Sequence, residues 1–199
     1  MKKIMMLGGN YFQMTATKAA KELGVEVISV DYLPENPAHK YADEYYNVST
    51  LDKEKVLQVA ERLKIDGIVS YASDVSAPTA AYVAEKLGLP TNPYESVNIM
   101  TRKDKFREFL TQKGFYMPKG AGFKEEEKKK AYEFFLSLEK PVMVKPVDSS
   151  GSKGVSKLYD NEEFNAAFEL AVSYSSSRNV IVERMVAFIN SCGLKILIW

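Results

Sequence analysis

Short apolar runs alternate with amphipathic stretches along the first part of the chain. Lys3-Ile4-Met5-Met6-Leu7 predicts a strand, Gly8-Gly9-Asn10 a turn, and the residues through Leu23 a helix closed by Gly24. Val25 to Val30 is rich in β-branched residues and predicts a strand ending at Asp31. Lys55 to Leu63 carries apolar residues at helical spacing, and Gly67-Ile68-Val69-Ser70-Tyr71 reads as another buried strand. A helix over Ala77 to Leu87 ends at Gly88, and Pro90 and Pro93 then break the chain. Strand and helix in repeated alternation imply a parallel sheet, so an α/β domain is expected over residues 1–93.

The pattern then changes. Residues 94–123 form a linking helical region, with a helix around Lys103 to Lys113 stopped by Gly114, and a further helix spans Glu125 to Leu138. The run Glu125-Glu126-Glu127-Lys128-Lys129-Lys130 puts acids ahead of bases at helical spacing, which suits a solvated helix face. Pro141 to Lys145 and Val155 to Tyr159 predict a hairpin around a glycine-containing loop. Asn161 to Tyr174 predicts a helix with Phe164, Phe168 and Val172 on one stripe, and Val180 to Arg184 a returning strand. The expected second body is a small α+β module over 124–186, and 187–199 is an atypical tail. Ser173 to Ser177, with four serines, reads as a turn.

Composition narrows the function classes. At 199 residues, 46% hydrophobic and 27% charged, the chain can bury one substantial core or two small ones. Lys and Arg number 27 and Asp and Glu 26, so a formal charge of +1 gives no global field for nucleic acid or an anionic membrane, and neither is expected as a partner. Phosphate chemistry must then come from local sites. The single Cys192 excludes an internal disulfide, and His39 is the only histidine, so no Cys/His zinc cluster and no metal site is expected. A reducing, cytoplasmic setting fits. Met1 to Leu7 is basic and then apolar but stops at Gly8, too soon for a signal peptide, and no segment reaches membrane-spanning length. His39 is read as a satisfied surface histidine, Cys192 as inert, and Tyr45 and Tyr46 as packing residues.

The loop Lys145-Pro146-Val147-Asp148-Ser149-Ser150-Gly151-Ser152-Lys153-Gly154 is the strongest chemical candidate. Small residues let backbone N–H groups approach an anion, serine hydroxyls add donors, and lysines at both ends bring positive charge. It lacks the Gly-x-x-x-x-Gly-Lys-Ser/Thr spacing of a P-loop, and a strand follows it. In the first domain, Gly8, Gly9 and Asn10 sit where a strand meets a helix, and free N–H groups there favour a carboxylate or phosphate. Asp74 follows the Gly67 to Tyr71 strand at the carboxyl-end edge where open α/β sheets bind ligands, and it also suits an N-cap.

Taken together, the strand Pro-Val-Met-Val-Lys-Pro, the loop Ser-Ser-Gly-Ser-Lys-Gly-Val and the later Val-Ile-Val-Glu strand resemble the ATP-grasp superfamily. The stretch Arg102 to Leu110, followed by Gly114 and Pro118, is similar to that family's first nucleotide-contacting helix. The resemblance implies ATP as cofactor, with magnesium in the complete family enzyme. By that match Lys145 touches the α-phosphate and adenine side, Ser149, Ser150, Gly151, Ser152, Lys153 and Gly154 close over the outer phosphates, and Lys103 reaches the phosphates. Glu183 would help hold the adenine amino group, with the backbone of Arg184, Met185 and Val186. Arg107, one turn beyond Lys103, lies on the same helix face and is either a companion of Lys103 or a surface arginine. The first domain resembles the pre-ATP-grasp domain, which would place part of an acceptor site at Gly9, Asn10 and Asp74.

Two other readings remain open at this point. Gly8-Gly9 after a strand, with Asp31 about 22 residues later, suits an NAD(P)-binding Rossmann-type oxidoreductase, although Tyr11, Phe12 and Gln13 stand where a third glycine would pack. A non-catalytic nucleotide-binding fragment is the other. Family members carry magnesium ligands on a further sheet, which the residues after Met185 do not match, so the second ATP-grasp subdomain is expected to be absent and this chain to turn over no ATP. The complete relative is expected to activate a small-molecule carboxylate or related acceptor as an acyl phosphate. The apolar Ile196-Leu197-Ile198-Trp199 suggests self-association into a homo-oligomer.

Overall fold

The computed structural model describes residues 1–185 and the backbone of 187–189 and 195–197. The chain divides into two compact units, Met1–Thr101 and Arg102–Trp199.

In the first unit, β1 (Lys3–Leu7), β2 (Glu26–Asp31), β3 (Glu44–Asn47) and β4 (Gly67–Ser70) form a parallel sheet in the order β3-β2-β1-β4. Both central strands are buried, as a parallel sheet covered on both faces requires. α1 (Tyr11–Glu22) is capped by Asn10, which accepts from the Phe12 N–H, while Gln13 reaches back to the Asn10 N–H. α2 (Lys53–Leu63) starts at an Asp52 cap and turns Val56, Val59 and Ala60 inward. With α3 (Ala77–Lys86), it packs them against Met5, Leu7, Ile28 and Val30. Each such large apolar side chain contributes roughly 1.5–3 kcal/mol through burial.

Two elements escaped the sequence pattern here. β3 is a half-buried edge strand carrying Tyr45 and Tyr46, which the pattern reads only as packing residues. α4 (Tyr94–Thr101) buries no side chain fully and so shows no strong stripe. It is held to the first unit by the Tyr94 N–H donating to Glu85 at 2.8 Å and by the Tyr94 ring against Tyr82 at 5.5 Å.

In the second unit, β5 (Gly120–Lys124), β6 (Val142–Pro146), β7 (Ser156–Leu158) and β8 (Asn179–Arg184) form an antiparallel sheet in the order β5-β8-β6-β7. α6 (Lys128–Leu136) and α7 (Phe164–Ser173) cover one face, where Phe135, Phe164 and Phe168 pack on Val142, Val144, Val180 and Val182. β5 was expected as part of a helical link. Its two glycines weaken strand propensity, and pairing with β8 overrides that. α5 (Lys103–Gln112) belongs to this unit, and a two-stranded antiparallel pair, β9 (Ala187–Ile189) and β10 (Lys195–Leu197), follows β8. Among the described residues, no helix is long and apolar enough to cross a membrane.

Candidate functional site

Strand alternation divides β6 and β8 between two environments. Val142, Val144, Val180 and Val182 enter the core, so Met143, Lys145, Ile181 and Glu183 share the opposite face. Met143 stands opposite Glu183 and Lys145 opposite Ile181, which makes Lys145 and Glu183 a diagonal cross-strand pair. Lys145 Nζ donates to Glu183 Oε1 at 2.7 Å, and both side chains are almost fully buried, at 2% and 4% exposure.

α5 supplies the third member. Arg107 Nε donates to the other Glu183 oxygen, Oε2, at 3.0 Å. Burial opposes ionisation of Glu183, but the Lys145 charge and the Arg107 hydrogen bond outweigh it and hold the carboxyl below the usual range. Arg107 is therefore neither a surface arginine nor seated beside Lys103 on a shared target. Close approach depends on two glycines of β5. A Cβ on Gly120 would lie 2.7 Å from Glu183 Cβ, and one on Gly122 would lie 3.0 Å from Asp104 Cβ on α5. A cleft of about 500 Å³ opens between α5 and β5, bounded by Arg107, Glu108, Gly120, Gly122 and Ile181.

Lys103 and the loop meet directly. The Lys103 N–H donates to the Val147 carbonyl at 2.9 Å, and its Nζ donates to the Ser149 carbonyl at 2.6 Å. Ser150, Gly151, Ser152 and Lys153 are exposed, whereas Gly154 is buried. Gly151, Ser152 and Gly154 have positive φ of 66°, 56° and 71°, and a Cβ on Gly154 would sit 2.8 Å from Tyr174 Cβ. Asp148, missed by the sequence reading, fixes the loop's first end. It accepts from Ser175 Oγ at 2.7 Å, Ser176 Oγ at 2.6 Å and the Ser177 N–H at 2.9 Å. Burial pushes Asp148 up, and these donors more than offset it, leaving it below the ordinary carboxylate range. The serine-rich turn was the visible signal for this contact.

At the end of β8 the expected backbone donors are already engaged. The Arg184 N–H donates to the Lys119 carbonyl at 2.9 Å and the Met185 N–H to the Pro141 carbonyl at 3.0 Å, while the Arg184 side chain pairs with Glu139. Val186, Cys192 and the side chains of the apolar tail lie outside the described residues.

The first unit corrects two expectations. The Gly9 N–H is not free, since it donates to Asp31 Oδ2 at 2.9 Å, and Asn10 is committed to capping α1. Asp31 also accepts from the Leu33 N–H and from Asn36 Nδ2, and is 8% exposed. The acid that the nicotinamide reading needs for a ribose is thus buried and occupied within the fold. His39 is satisfied but only half exposed. Its Nε2 donates to the Leu33 carbonyl at 3.0 Å, its Nδ1 shares a hydrogen bond with buried Ser29 at 2.8 Å, and its ring lies 4.0 Å from Tyr45. Asp74 is exposed in the loop after β4 and does not cap α3, whose N-cap is Ser76.

The family described as D-ala D-ala ligase C-terminus matches residues 106–197. The carbamoyl phosphate synthase large chain of Clostridium beijerinckii is 27% identical, over 88% of this chain and 16% of its own length. The formate-dependent phosphoribosylglycinamide formyltransferase of Nitratiruptor sp. is 28% identical, over 94% of this chain and 48% of its own. These matches support the ATP-grasp superfamily as the family of this chain. Solved structures share the ATP-grasp fold. The biotin carboxylase domain of Hydrogenobacter thermophilus 2-oxoglutarate carboxylase, a dimer in complex with MgADP, ADP and bicarbonate, gives a TM-score of 0.70 at 19% identity, covering 93% of this chain and 44% of that one. N5-carboxyaminoimidazole ribonucleotide synthetase from Thermotoga maritima gives 0.65 at 21% identity, covering 96% and 47%. The chain thus spans about half, or less, of the relatives it matches. The family match begins inside α5, so it includes Arg107, Lys145, the loop and Glu183, with Lys103 just ahead of it.

Proposed function

We propose that this chain is the nucleotide-binding portion of an ATP-grasp ligase, with the triphosphate held in the second unit. The observation that carries the reading is the convergence of Lys103 on the Ser149 carbonyl and of Lys145 on Glu183 around one loop. Lys145 and Lys103 supply charge to the phosphates. Ser149, Ser150, Gly151, Ser152, Lys153 and Gly154 form the cover, whose positive-φ positions present backbone N–H groups. The end of β8, from Glu183 through Arg184 and Met185 to Val186, is assigned to the adenine, with the Arg184 and Met185 N–H groups already engaged within the fold. A small-molecule carboxylate or related acceptor is assigned to the sheet edge of the first unit, near exposed Asp74, where Gly9 and Asn10 shape the turn. For the whole protein the reaction is activation of that acceptor as an acyl phosphate and its capture by a nucleophile, with a homo-oligomer and a cytoplasmic setting as the accompanying proposals.

Calorimetric titration of ATP into wild type and Lys145→Ala tests the site. Hydrogen bonds to charged groups are worth about 1.5–3 kcal/mol, so the variant should bind about 10- to 100-fold more weakly, and Lys103→Ala should also weaken binding. Unchanged affinity in Lys145→Ala, or no ATP binding by wild type at millimolar concentration, refutes the reading.

Magnesium is a different matter. Among the described residues, no three His, Cys, Asp or Glu side chains gather to hold a cation; magnesium on a nucleotide takes only one or two carboxylates beside the phosphates, and no step through the metal is assigned to these residues. Phosphoryl transfer relies on a bridging divalent cation, and the described residues by themselves are expected to bind nucleotide without turnover. Steady-state phosphate release at about 1 s⁻¹ with magnesium, within the ordinary enzyme range, would contradict that.

A further inference from the structure

The second unit buries a charge cluster that is not balanced. Glu183 lies between two cations, Lys145 on Oε1 at 2.7 Å and Arg107 on Oε2 at 3.0 Å. Side-chain exposures are 2% for Lys145, 4% for Glu183 and 16% for Arg107. A single lysine–carboxylate pair would be neutral and would present little charge to an incoming phosphate. The structure goes to some length to add the second cation. Gly120 and Gly122 carry no Cβ where one would collide with Glu183 and with α5, and Lys103 anchors the start of α5 to the Val147 carbonyl, one helical turn before Arg107.

We propose that Arg107 is a positioning residue that occupies and neutralises Glu183, so that the Lys145 ammonium keeps an uncompensated positive charge for a nucleotide's phosphates. Lys145 uses one of its three N–H donors on Glu183, and the proposal gives the other two to the ligand. Arginine suits this task because its guanidinium stays charged and presents fixed, directional donors even when largely dehydrated. In this arrangement Arg107 touches no phosphate; it sets the charge of the residue that does. The inference rests on the proposed nucleotide site and adds to it the origin of its phosphate affinity.

The test compares ADP with adenosine, which share the base and ribose but differ in charge, by calorimetric titration of the full chain. Arg107→Met should weaken ADP about 10- to 30-fold, the scale of one charge-assisted contact, and change adenosine less than about threefold. Arg107→Lys should restore ADP binding to within about threefold of wild type. A second variant guards against misfolding. If Arg107 acts by cancelling the Glu183 charge, Arg107→Met should weaken ADP less than about threefold in a Glu183→Gln background, whatever that background does to binding by itself, because the carboxylate that silences Lys145 is gone. Equal losses for ADP and adenosine, an undiminished Arg107→Met loss in the Glu183→Gln background, or unchanged ADP binding in Arg107→Met would each overturn the proposal while leaving a nucleotide site intact. Absence of ADP binding by wild type would overturn the site reading and this inference together.

Discussion

Glu183→Ala should unfold the second unit more readily than any other single truncation in its sheet. The substitution removes the one carboxylate between two largely buried cations, leaving Lys145 at 2% exposure with no counter-charge. Breaking a buried ion pair by deleting one partner costs about 3–5 kcal/mol, because the remaining charge keeps its desolvation penalty and loses its compensation. Glu183→Gln should cost less, since an amide keeps the volume and can still accept from Lys145 or Arg107. Urea denaturation of both variants measures the difference. A loss below about 1 kcal/mol for Glu183→Ala would mean that water reaches the triad and that its burial is not what sets its energy.

Gly9→Ala should be the most damaging single change at the sheet edge of the first unit. Its Cβ would lie 2.2 Å from His39 Cε1 and 2.9 Å from Asn36 Cβ. The imidazole cannot swing aside cheaply, because Ser29 and the Leu33 carbonyl hold its two nitrogens and the tilted Tyr45 ring lies 4.0 Å from its own. Overpacking of this kind costs about 1–3 kcal/mol and occasionally more. The steric origin has a clear signature. In a His39→Ala background the same Gly9→Ala change should cost less than half as much, and an unaltered cost in that background would move the cause to the backbone.

Much of this was legible because the relevant residues obey a short-range rule. The alternation in Pro-Val-Met-Val-Lys and Val-Ile-Val-Glu alone puts Lys145 and Glu183 on the non-core face of their strands, and helical spacing alone puts Arg107 one turn from Lys103. What could not be read was the partner of each group across the fold. Arg107 meets Glu183 only because β5 inserts beside β8 and brings two glycines under α5, and nothing local in a glycine-bearing segment announces a strand. The Gly9 turn shows the same limit from the other side. Its N–H was expected to be free for a ligand's carboxylate or phosphate, but Asp31 of the adjacent strand already takes it. Asp148 likewise finds its donors in the turn at Ser175 to Ser177, a contact fixed by the return of β8 alongside β6.

That last contact governs how the loop between β6 and β7 can change in evolution or by design. Asp148 is moored to the junction of α7 and β8, and Gly154 rests on Tyr174 at the same junction. The two stems of the loop are therefore pinned to one place, and the stretch from Ser149 to Lys153 hangs between them as a tether of set span. Extra residues inserted there would lengthen its reach at an entropic cost of only about 0.6 kcal/mol per doubling, with the flanking strands left in register.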